Sequence, residues 1–265
     1  IGGLFGWELT GEAAVLPNLG ATLPTDGELM LGLTTGGAAA GGTTSQAAFP
    51  TCLPEGWYTL VFDWKAYSEE FIEYCDSLFQ DTFLVELVTG GVVTALMDLS
   101  IGDLCSPEAC ADCGSAYVGL EPADVAFDQG GVYMTPWVTQ QAHFGAPLVG
   151  GEPIVIRFRT TDASDGIYDT VALVDAVHIE ACTPTCDGKT CGDNGCGGSC
   201  GVCEVGDVCT DGLCCTPACD GKVCGDDGCG GSCGTCGDAN ACTDDACDLG
   251  ACVFSATDAG AACPD

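Results

Sequence analysis

The chain has 265 residues, of which 39 are acidic and five are basic, giving a formal net charge of −34. Such an acidic surface repels nucleic acid and anionic membranes, which excludes both as partners. Hydrophobic residues make up 47% of the chain, so the composition predicts a folded protein and not a disordered acidic segment. No apolar run is long enough to insert into a membrane as a helix.

The chain contains 23 cysteines, which indicate disulfide bonds and therefore an oxidising compartment. It begins at Ile1 without a methionine or a basic-then-apolar leader, as expected of a mature secreted chain whose signal peptide has been removed. We therefore expect an extracellular or cell-surface protein. Because the cysteine number is odd, at least one cysteine is free, bound to another group or paired with another chain.

Residues 1–181 alternate short β-branched and aromatic runs with clusters of Gly, Pro, Asp and Thr, a pattern typical of strands joined by turns. In the segment 57–64, alternation places four bulky side chains on one face: Tyr58, Leu60, Phe62 and Trp64. Two further strands have inward faces formed by Phe83, Val85 and Leu87, and by Ile154, Ile156 and Phe158. Arg157 and Arg159 are then expected on the opposite face of the second of these strands.

At least seven such strands predict a mainly β fold, with a jelly-roll-like β-sandwich over residues 1–181. A disulfide-rich, irregular repeat tail is expected to follow. We divide this tail into a first cysteine-rich repeat (182–214), a second repeat (215–247) and a cysteine-containing C-terminal segment (248–265).

The tail repeats one cysteine pattern. CTPTCDGKTCGDNGCGGSCGVC at 182–203 recurs as CTPACDGKVCGDDGCGGSCGTC at 215–236, with 18 of 22 positions identical, and eight cysteines reappear 33 residues later. Phe254 is the only aromatic residue after Cys182, so cysteines must replace a hydrophobic core. The predicted disulfide framework, whose pairing the sequence leaves open, consists of Cys182, Cys186, Cys191, Cys196, Cys200, Cys203, Cys209, Cys214, Cys215, Cys219, Cys224, Cys229, Cys233, Cys236, Cys242, Cys247, Cys252 and Cys263.

Five cysteines precede the repeats. Cys52 and Cys75 flank the strand at 57–64 and could join adjacent elements. The other three lie in one loop that could be stapled internally: Cys105, Cys110 and Cys113.

These motifs resemble known sequences. The CGDDGCGGSCGTC repeats look like those of large secreted bacterial surface proteins, and CTDDACDLGACV at Cys242–Val253 is similar to another short cysteine repeat common in them. SEEFIEYCDSLFQDTF at Ser68–Phe83 resembles the SEE(Y/F)-x-EY…(N/Q)D-x-F signature of a bacterial surface domain with variable anchors. IYDTVALVDAVHI at Ile167–Ile179 is similar to the segment that closes many extracellular jelly-roll domains, with Thr170 and Val171 in place of the usual serine and alanine. The resemblance implies a surface-displayed β-sandwich, often stabilised by calcium.

Two acidic clusters are candidate Ca²⁺ ligands. Asp162, Asp165 and Asp169 surround Gly166, which permits a sharp turn that can gather carboxylate oxygens. Asp175 is a further candidate, because strand alternation places it with Val171, Leu173, Val177 and Ile179 on an inward face. Glu69, Glu70, Glu73, Asp76 and Asp81 form the second cluster, in which Glu69, Glu70 and Asp81 are the candidate ligands. The alternative is that these acids are solvated surface residues.

Other chemistries have weaker support. C-x-x-C pairs at Cys110/Cys113, Cys200/Cys203 and Cys233/Cys236 could bind zinc, but they lie among many cysteines that are expected to form disulfides. His143 and His178 are the only histidines, and we interpret His178 as a partly buried structural residue. The sequence contains no G-x-S-x-G nucleophile elbow, because its two GGSCG matches, at 197–201 and 230–234, lie inside the cysteine repeats and not between a strand and a helix. It also contains no H-E-x-x-H or phosphate-binding glycine motif, so we predict that the protein is not an enzyme.

The sequence therefore predicts an extracellular structural or adhesive surface protein, a self-assembling homopolymer subunit of a filament or surface layer that is stabilised by disulfides and calcium. The alternative is a calcium-dependent carbohydrate-binding module on a disulfide-rich spacer. A glycan would then stack on exposed aromatic residues drawn from Trp7, Trp57, Tyr58, Trp64, Tyr133 and Trp137.

Overall fold

A computed structural model describes most of the chain, in two compact units, Ile1–Thr183 and Pro184–Asp265. The described residues are 6–36, 44–71, 81–104, 120–127, 129–162, 168–238, 240 and 242–256. No helix among them is long and apolar enough to cross a membrane.

The described residues of the first unit form two antiparallel sheets and one short helix. The five-stranded sheet has the order β1 (Glu8–Thr10), β4 (Thr44–Cys52), β11 (Pro153–Thr161), β6 (Thr82–Thr89) and β7 (Val92–Ser100). The seven-stranded sheet has the order β2 (Ala13–Leu16), β3 (Met30–Thr34), β12 (Thr170–Cys182), β5 (Trp57–Ser68), β9 (Tyr133–Met134) and β8 (Glu121–Pro122), with β10 (Val138–His143) also paired to β5. Helix α1 covers Ile101–Leu104.

The main core lies between the two sheets. Phe62 of β5 meets Phe158 of β11 edge to face, with ring centroids 5.2 Å apart, and Trp64 lies 6.3 Å from Phe83 of β6. All the inward side chains predicted for these three strands belong to this core. Alternation along each strand explains this result, since one face is buried and the other is not. The predicted mainly β sandwich followed by a disulfide-rich tail is confirmed.

A second, smaller core covers part of the outer face of the seven-stranded sheet. It is built around Met30, Tyr67, Val132, Val171 and Leu173, with side chains from the segment 120–137 packed against it. Burial on both faces explains why β12 is almost continuously apolar from Val171 to Val174.

Strand β12 contains a bulge that changes the predicted side-chain pattern. Its pairing with β5 shifts between Asp175 and His178, and Ala176 has a φ angle of 50°. Asp175 shares a face with Val171 and Leu173, as the alternation predicted, but this is the outer face of the sheet and not the predicted inward face. Val177 and Ile179 instead pack against the main core, so the prediction that they share the face of Asp175 is wrong.

Disulfides cross-link the tail, and its described part forms two short hairpins, β13 (Val208–Thr210) with β14 (Leu213–Cys215), and β15 (Thr243–Asp248) with β16 (Ala251–Ala256). Bonded pairs in the first repeat include Cys186–Cys200, Cys191–Cys209 and Cys203–Cys214. Those in the second include Cys215–Cys229, Cys219–Cys233, Cys224–Cys247 and Cys236–Cys252. Cys182, Cys196 and Cys242 are also disulfide-bonded, and Cys263 lies outside the described residues. This disulfide content points to an extracellular protein.

The disulfides of the second repeat do not all follow the 33-residue spacing. That spacing would match Cys242 and Cys247 to Cys209 and Cys214, but the structure places Cys247 and Cys252 in those roles. A five-residue offset therefore separates the repeated sequence pattern from the repeated structure at this point.

The turn residues account for the offset. The first hairpin turns through Asp211 and Gly212, both at positive φ, and the second turns through Leu249 and Gly250, also at positive φ. The carbonyl of each turn glycine accepts a hydrogen bond from the repeat body, from Thr190 N at 2.7 Å and from Val223 N at 2.8 Å. The segment Cys242–Cys247 has no glycine with which to form this turn.

Cys52 has a free thiol and is exposed at the end of β4. The suggested role of Cys52 in joining adjacent elements is therefore wrong. Its suggested partner Cys75, and the loop cysteines Cys105, Cys110 and Cys113, lie outside the described residues.

Candidate functional site

One end of the sandwich gathers buried carboxylates. They lie where β5 ends and where β6 and β12 begin, and Glu69, Glu70 and Asp81 are each at most 3% exposed. Asp162, just after β11, is 7% exposed. The interpretation of these four acids as solvated surface residues is therefore wrong, and each carboxylate needs hydrogen bonds or a cation to offset its burial.

Hydrogen bonds offset the burial of the Glu69 carboxylate. Its Oε1 accepts from the backbone N–H groups of Gln129 and Gly130 at 3.0 and 2.9 Å, and its Oε2 accepts from Asp169 N at 3.2 Å. Glu69 therefore ties two loops to the end of β5. Both its oxygens are committed to backbone donors, which makes it a poor cation ligand.

Glu70 and Asp81 belong to a connected polar network. Glu70 Oε2 accepts from Asp81 N at 3.0 Å, and Asp81 Oδ2 accepts from Thr35 Oγ1 at 2.6 Å. The Thr35 hydroxyl in turn accepts from Thr170 N at 2.9 Å, and the Thr170 hydroxyl lies 2.8 Å from that of Ser68. The network joins the ends of three strands of the seven-stranded sheet to the start of β6.

Asp169 approaches Gly36 so closely that a Cβ at position 36 would lie 2.4 Å from its Oδ2. Asp165 of the first predicted cluster, and Glu73 and Asp76 of the second, lie outside the described residues. Among the parts of the chain that are described, no three carboxylate or imidazole ligand atoms lie within 4.8 Å of one another. The described carboxylates do not by themselves form a calcium site.

Asp175 is completely buried and lies six residues after Asp169, on the outer face of β12. Its Oδ2 accepts from the backbone N–H groups of Thr25 and Asp26 at 2.7 and 2.9 Å, and from the hydroxyl of Thr25 at 3.3 Å. Asp175 thus anchors the turn between β2 and β3, which gives a structural reason for a buried aspartate.

Two cysteine triplets have metal-like spacing, Cys191, Cys203 and Cys214 in the first repeat, and Cys224, Cys236 and Cys252 in the second. All six belong to disulfides, which lack the thiolate that zinc requires. Cys200 and Cys233, from the described C-x-x-C pairs, are bonded to Cys186 and Cys219.

The predicted aromatic platform is not assembled as one surface. Tyr58 and Trp64 are buried in the main core, and Trp7 packs on Phe49 and Phe158 at centroid distances of 5.3 and 5.9 Å. Tyr133 and Trp137 pack against the main and the second core, respectively. Trp57 remains half-buried outside both clusters, at the start of β5.

Trp57 borders a polar strip on the outer face of the seven-stranded sheet, beyond the second core. Register aligns Thr59, Val61 and Asp63 of β5 with His143, Gln141 and Thr139 of β10. On the other side, β12 contributes Glu180 opposite Thr59 and His178 opposite Val61. We define the polar strip as these eight residues together with Trp57.

Hydrogen bonds hold several side chains of the polar strip in place. Thr59 Oγ1 lies 2.8 Å from His143 Nδ1, and Thr139 Oγ1 donates to Asp63 Oδ1 at 2.6 Å. His178 Nε2 lies 3.1 Å from Glu180 Oε1, with both side chains more than half exposed. The interpretation of His178 as partly buried is therefore wrong, because the bulge at Ala176 changes the alternation before it.

The outer face of the five-stranded sheet has an ion-pair network. Glu86, only 5% exposed, receives Arg157 Nε at 2.7 Å and Arg159 Nη2 at 3.2 Å. Cross-strand register places Arg157 directly opposite Glu86, as expected for a stabilising pair. The prediction that both arginines face away from the core is confirmed.

The polar strip was not predicted from the sequence. Alternation along WYTLVFDW places Trp57, Thr59, Val61 and Asp63 on the face opposite the apolar one, but it does not indicate which strand lies beside them. The position of β10 beside β5, 74 residues apart at the register pair Val138–Trp64, has no local sequence signal.

The comparisons with known proteins give a distant similarity. No protein-family model matches the sequence, and no curated protein matches it. TmCBM61, solved in complex with β-1,4-galactotriose, is 9% identical with a TM-score of 0.35, covering 66% of this chain and 88% of that one. The K2 cleaved adhesin domain of Lys-gingipain is 11% identical with a TM-score of 0.36, covering 67% and 89%. A structure of carbohydrate-binding modules from the β-sandwich superfamily is 11% identical with a TM-score of 0.34, covering 68% and 58%. Similarity at this level carries no functional information.

Proposed function

We propose that the protein is a non-enzymatic, secreted or surface-displayed structural protein, in which the β-sandwich makes adhesive contacts and the cysteine-rich repeats form a durable spacer. The observation that carries this proposal is the contrast between the two units. The sandwich has a large aromatic core, whereas the described part of the tail is held by disulfides and buries chiefly cysteine sulfur.

The tail composition supports a spacer. Val202, Val205 and Leu249 are almost fully exposed, so apolar packing contributes little to its stability. Disulfides that close loops of 11 to 23 residues restrict the unfolded chain and limit access by proteases. The resemblance of the repeats to those of secreted bacterial surface proteins agrees with this role.

Self-association into a filament or layer is part of the proposal, with calcium as a stabilising ion bound near Glu70, Asp81, Asp162 and Asp169. Divalent cations would also screen the net charge of −34, which otherwise opposes close approach of copies. The test is negative-stain electron microscopy of native material at low and high calcium. Regular assemblies are expected at high calcium, and dispersed monomers under both conditions would contradict self-association.

Carbohydrate binding is a second candidate function, favoured by the polar strip. Trp57 offers a partly exposed ring, and the adjacent imidazole, amide, hydroxyl and carboxylate groups can exchange hydrogen bonds with sugar hydroxyls. Such sites combine an apolar surface with a few fixed polar groups.

A glycan array followed by titration calorimetry tests this second function. If a sugar binds, Trp57→Ala and Gln141→Ala are expected to weaken it at least tenfold. Phe254→Ala, which removes a partly exposed ring from the tail, is the matched control and is expected to leave affinity unchanged. Equal losses in all three variants, or binding that neither strip variant alters, would contradict a site on the polar strip.

A further inference from the structure

The outer face of the five-stranded sheet has an arginine pair near its centre, whereas the polar strip on the other outer face carries two carboxylates. We propose that copies of the chain associate head to tail, with the arginine-bearing face of one copy resting on the polar strip of the next. This inference rests on the proposed self-association and names the surfaces that would produce it.

The arginine face is the outer face of the five-stranded sheet. Arg157 and Arg159 share the single carboxylate of Glu86, which leaves one net positive charge at its centre. Their side chains are 24% and 32% exposed, so guanidinium donors that Glu86 does not use can reach a partner. Arginine is the cation enriched at protein interfaces, because its planar fork binds carboxylates through two hydrogen bonds.

A row of apolar side chains lies on one side of this arginine pair. Register aligns Val155 of β11, Val88 of β6 and Val93 of β7 in the adjacent row, and Val93 is 49% exposed. The acidic residues that register places on this face, Glu8 and Asp98, lie on the two edge strands. A chain with 39 acidic residues thus has a sheet face whose centre is apolar and cationic.

The polar strip supplies the complementary charge. Asp63 and Glu180 give it two carboxylates, and β5 contributes Val61 between Thr59 and Asp63. The second core covers the remainder of that sheet face, so the strip is the part left open to a partner.

The distribution of basic residues favours a second copy as the partner. Lys65 is buried under the second core, and Lys189 and Lys222 donate their Nζ hydrogens to the backbone carbonyls of Asp193 and Asp226. Arg157 and Arg159 are thus the two basic residues that stand side by side on one sheet face, and the chain itself is rich in the carboxylates that such a pair binds.

The geometry makes the association open-ended. The arginine face and the polar strip lie on opposite sides of one sandwich, so each added copy leaves one of its two contact surfaces unoccupied. A heterologous contact of this kind can therefore continue into a linear chain of subunits. The strip spans roughly 24 Å along β5 and roughly 14 Å across three strands. This small area predicts weak contacts that become evident at high protein concentration and low salt.

Sedimentation velocity over a wide dilution series, at low and high salt and at fixed calcium, tests the inference with the full chain. Wild type is expected to form concentration-dependent oligomers that high salt dissociates. Asp63→Lys/Glu180→Lys, which reverses the charge of the strip, and Val93→Asp, which alters the arginine face, are each expected to remain monomeric. Val92→Asp adds the same charge one residue earlier, on the other side of β7, and is expected to assemble like wild type.

A mixing experiment separates this contact from a symmetric dimer. The Asp63→Lys/Glu180→Lys variant keeps its arginine face, so it can add to a wild-type oligomer but cannot accept another copy. A small fraction of it is therefore expected to shorten wild-type oligomers. Far-ultraviolet circular dichroism checks that each variant is folded, and Val93→Asp tests the opposite face if the double variant is not.

The failures are distinguishable. Oligomers that form equally well in Val93→Asp and in the strip variant would overturn the assignment of these faces while leaving self-association standing. A wild-type chain that stays monomeric at every concentration and salt would overturn self-association, and this inference with it.

Discussion

Glu86 Oε2 lies 2.7 Å from Arg157 Nε, in a carboxylate that is almost completely buried and whose other oxygen receives Arg159. One acid thereby allows two arginines to stand on adjacent outward positions of β11. This arrangement is the main ionic network on the outer face of the five-stranded sheet within the described residues.

Glu86→Gln is expected to lower the free energy of unfolding by about 1–3 kcal/mol, because both arginines lose a charged acceptor and repel each other. Glu8→Gln removes an exposed acid from the same sheet and is expected to change stability by less than about 0.5 kcal/mol. Urea denaturation followed by tryptophan fluorescence measures both. A Glu86→Gln variant as stable as the control would mean that the network contributes nothing measurable.

Lys65 makes stability depend on pH. Burial lowers the pKa of its amine, while Glu121 and Asp124 act in the opposite direction. Below the lowered folded-state pKa, the folded chain bears the full cost of burying a cation, and this cost disappears as pH rises towards the unfolded value of 10.5.

Lys65→Met is therefore expected to be more stable than wild type at neutral pH, by an amount that shrinks as the pH is raised through the alkaline range. Thermal unfolding of the sandwich at several pH values measures the difference. Lys189→Met, in the tail, serves as the control and is expected not to stabilise the sandwich. A stability difference for Lys65→Met that grows with pH would contradict the burial argument.

The bulge in β12 gives a third prediction. Ala176 adopts a left-handed backbone conformation, at φ 50°, that disfavours a residue with a Cβ atom. Ala176→Gly is expected to stabilise the sandwich by about 0.5–1 kcal/mol. Ala181→Gly, in the exposed regular part of the same strand, is expected to destabilise it by a similar amount. Chemical denaturation distinguishes the two signs, and a destabilising Ala176→Gly would contradict the bulge geometry.

The second repeat offers a test of disulfide register. The structure pairs Cys224 with Cys247 and Cys236 with Cys252. Cys252→Ser is expected to leave Cys236 without its partner, whereas Cys242→Ser is expected to leave both pairs intact. Mass spectrometry of non-reduced proteolytic peptides reads out the pairing directly. Bonds from Cys224 to Cys242 and from Cys236 to Cys247 would instead support the 33-residue spacing.

Much of the sandwich could be predicted from local alternation, because one buried face imposes a period of two on β5, β6 and β11. The polar strip could not, since it depends on β10 pairing with β5 across a long sequence separation. Alternation also failed at Ala176, where a single residue at positive φ reverses the pattern and gives no signal in an apolar run. In the tail, cysteine spacing indicated the framework, but Gly250 and not the spacing determines which cysteines occupy the hairpin.

Acidic residues were the least predictable feature. Adjacent carboxylates in a chain this acidic predict either a cation site or solvated surface residues. A third possibility is a buried carboxylate that caps backbone N–H groups, and the sequence does not distinguish it from the other two. Glu69 and Asp175 both cap backbone N–H groups. Their carboxylates accept hydrogen bonds from loops that are 60 and about 150 residues away along the chain. Only the tertiary fold brings those donors within reach.

The cross-links of the tail have a mechanical consequence. Each bond fixes two Cα atoms at 5.3–5.9 Å, so the residues between them cannot lengthen when the ends of the tail are pulled apart. A tail without such bonds would stretch by roughly 3.4 Å for every residue that unravels. Under tension the oxidised tail therefore keeps a nearly constant length, and reduction of its disulfides would make the same sequence a flexible, extensible linker.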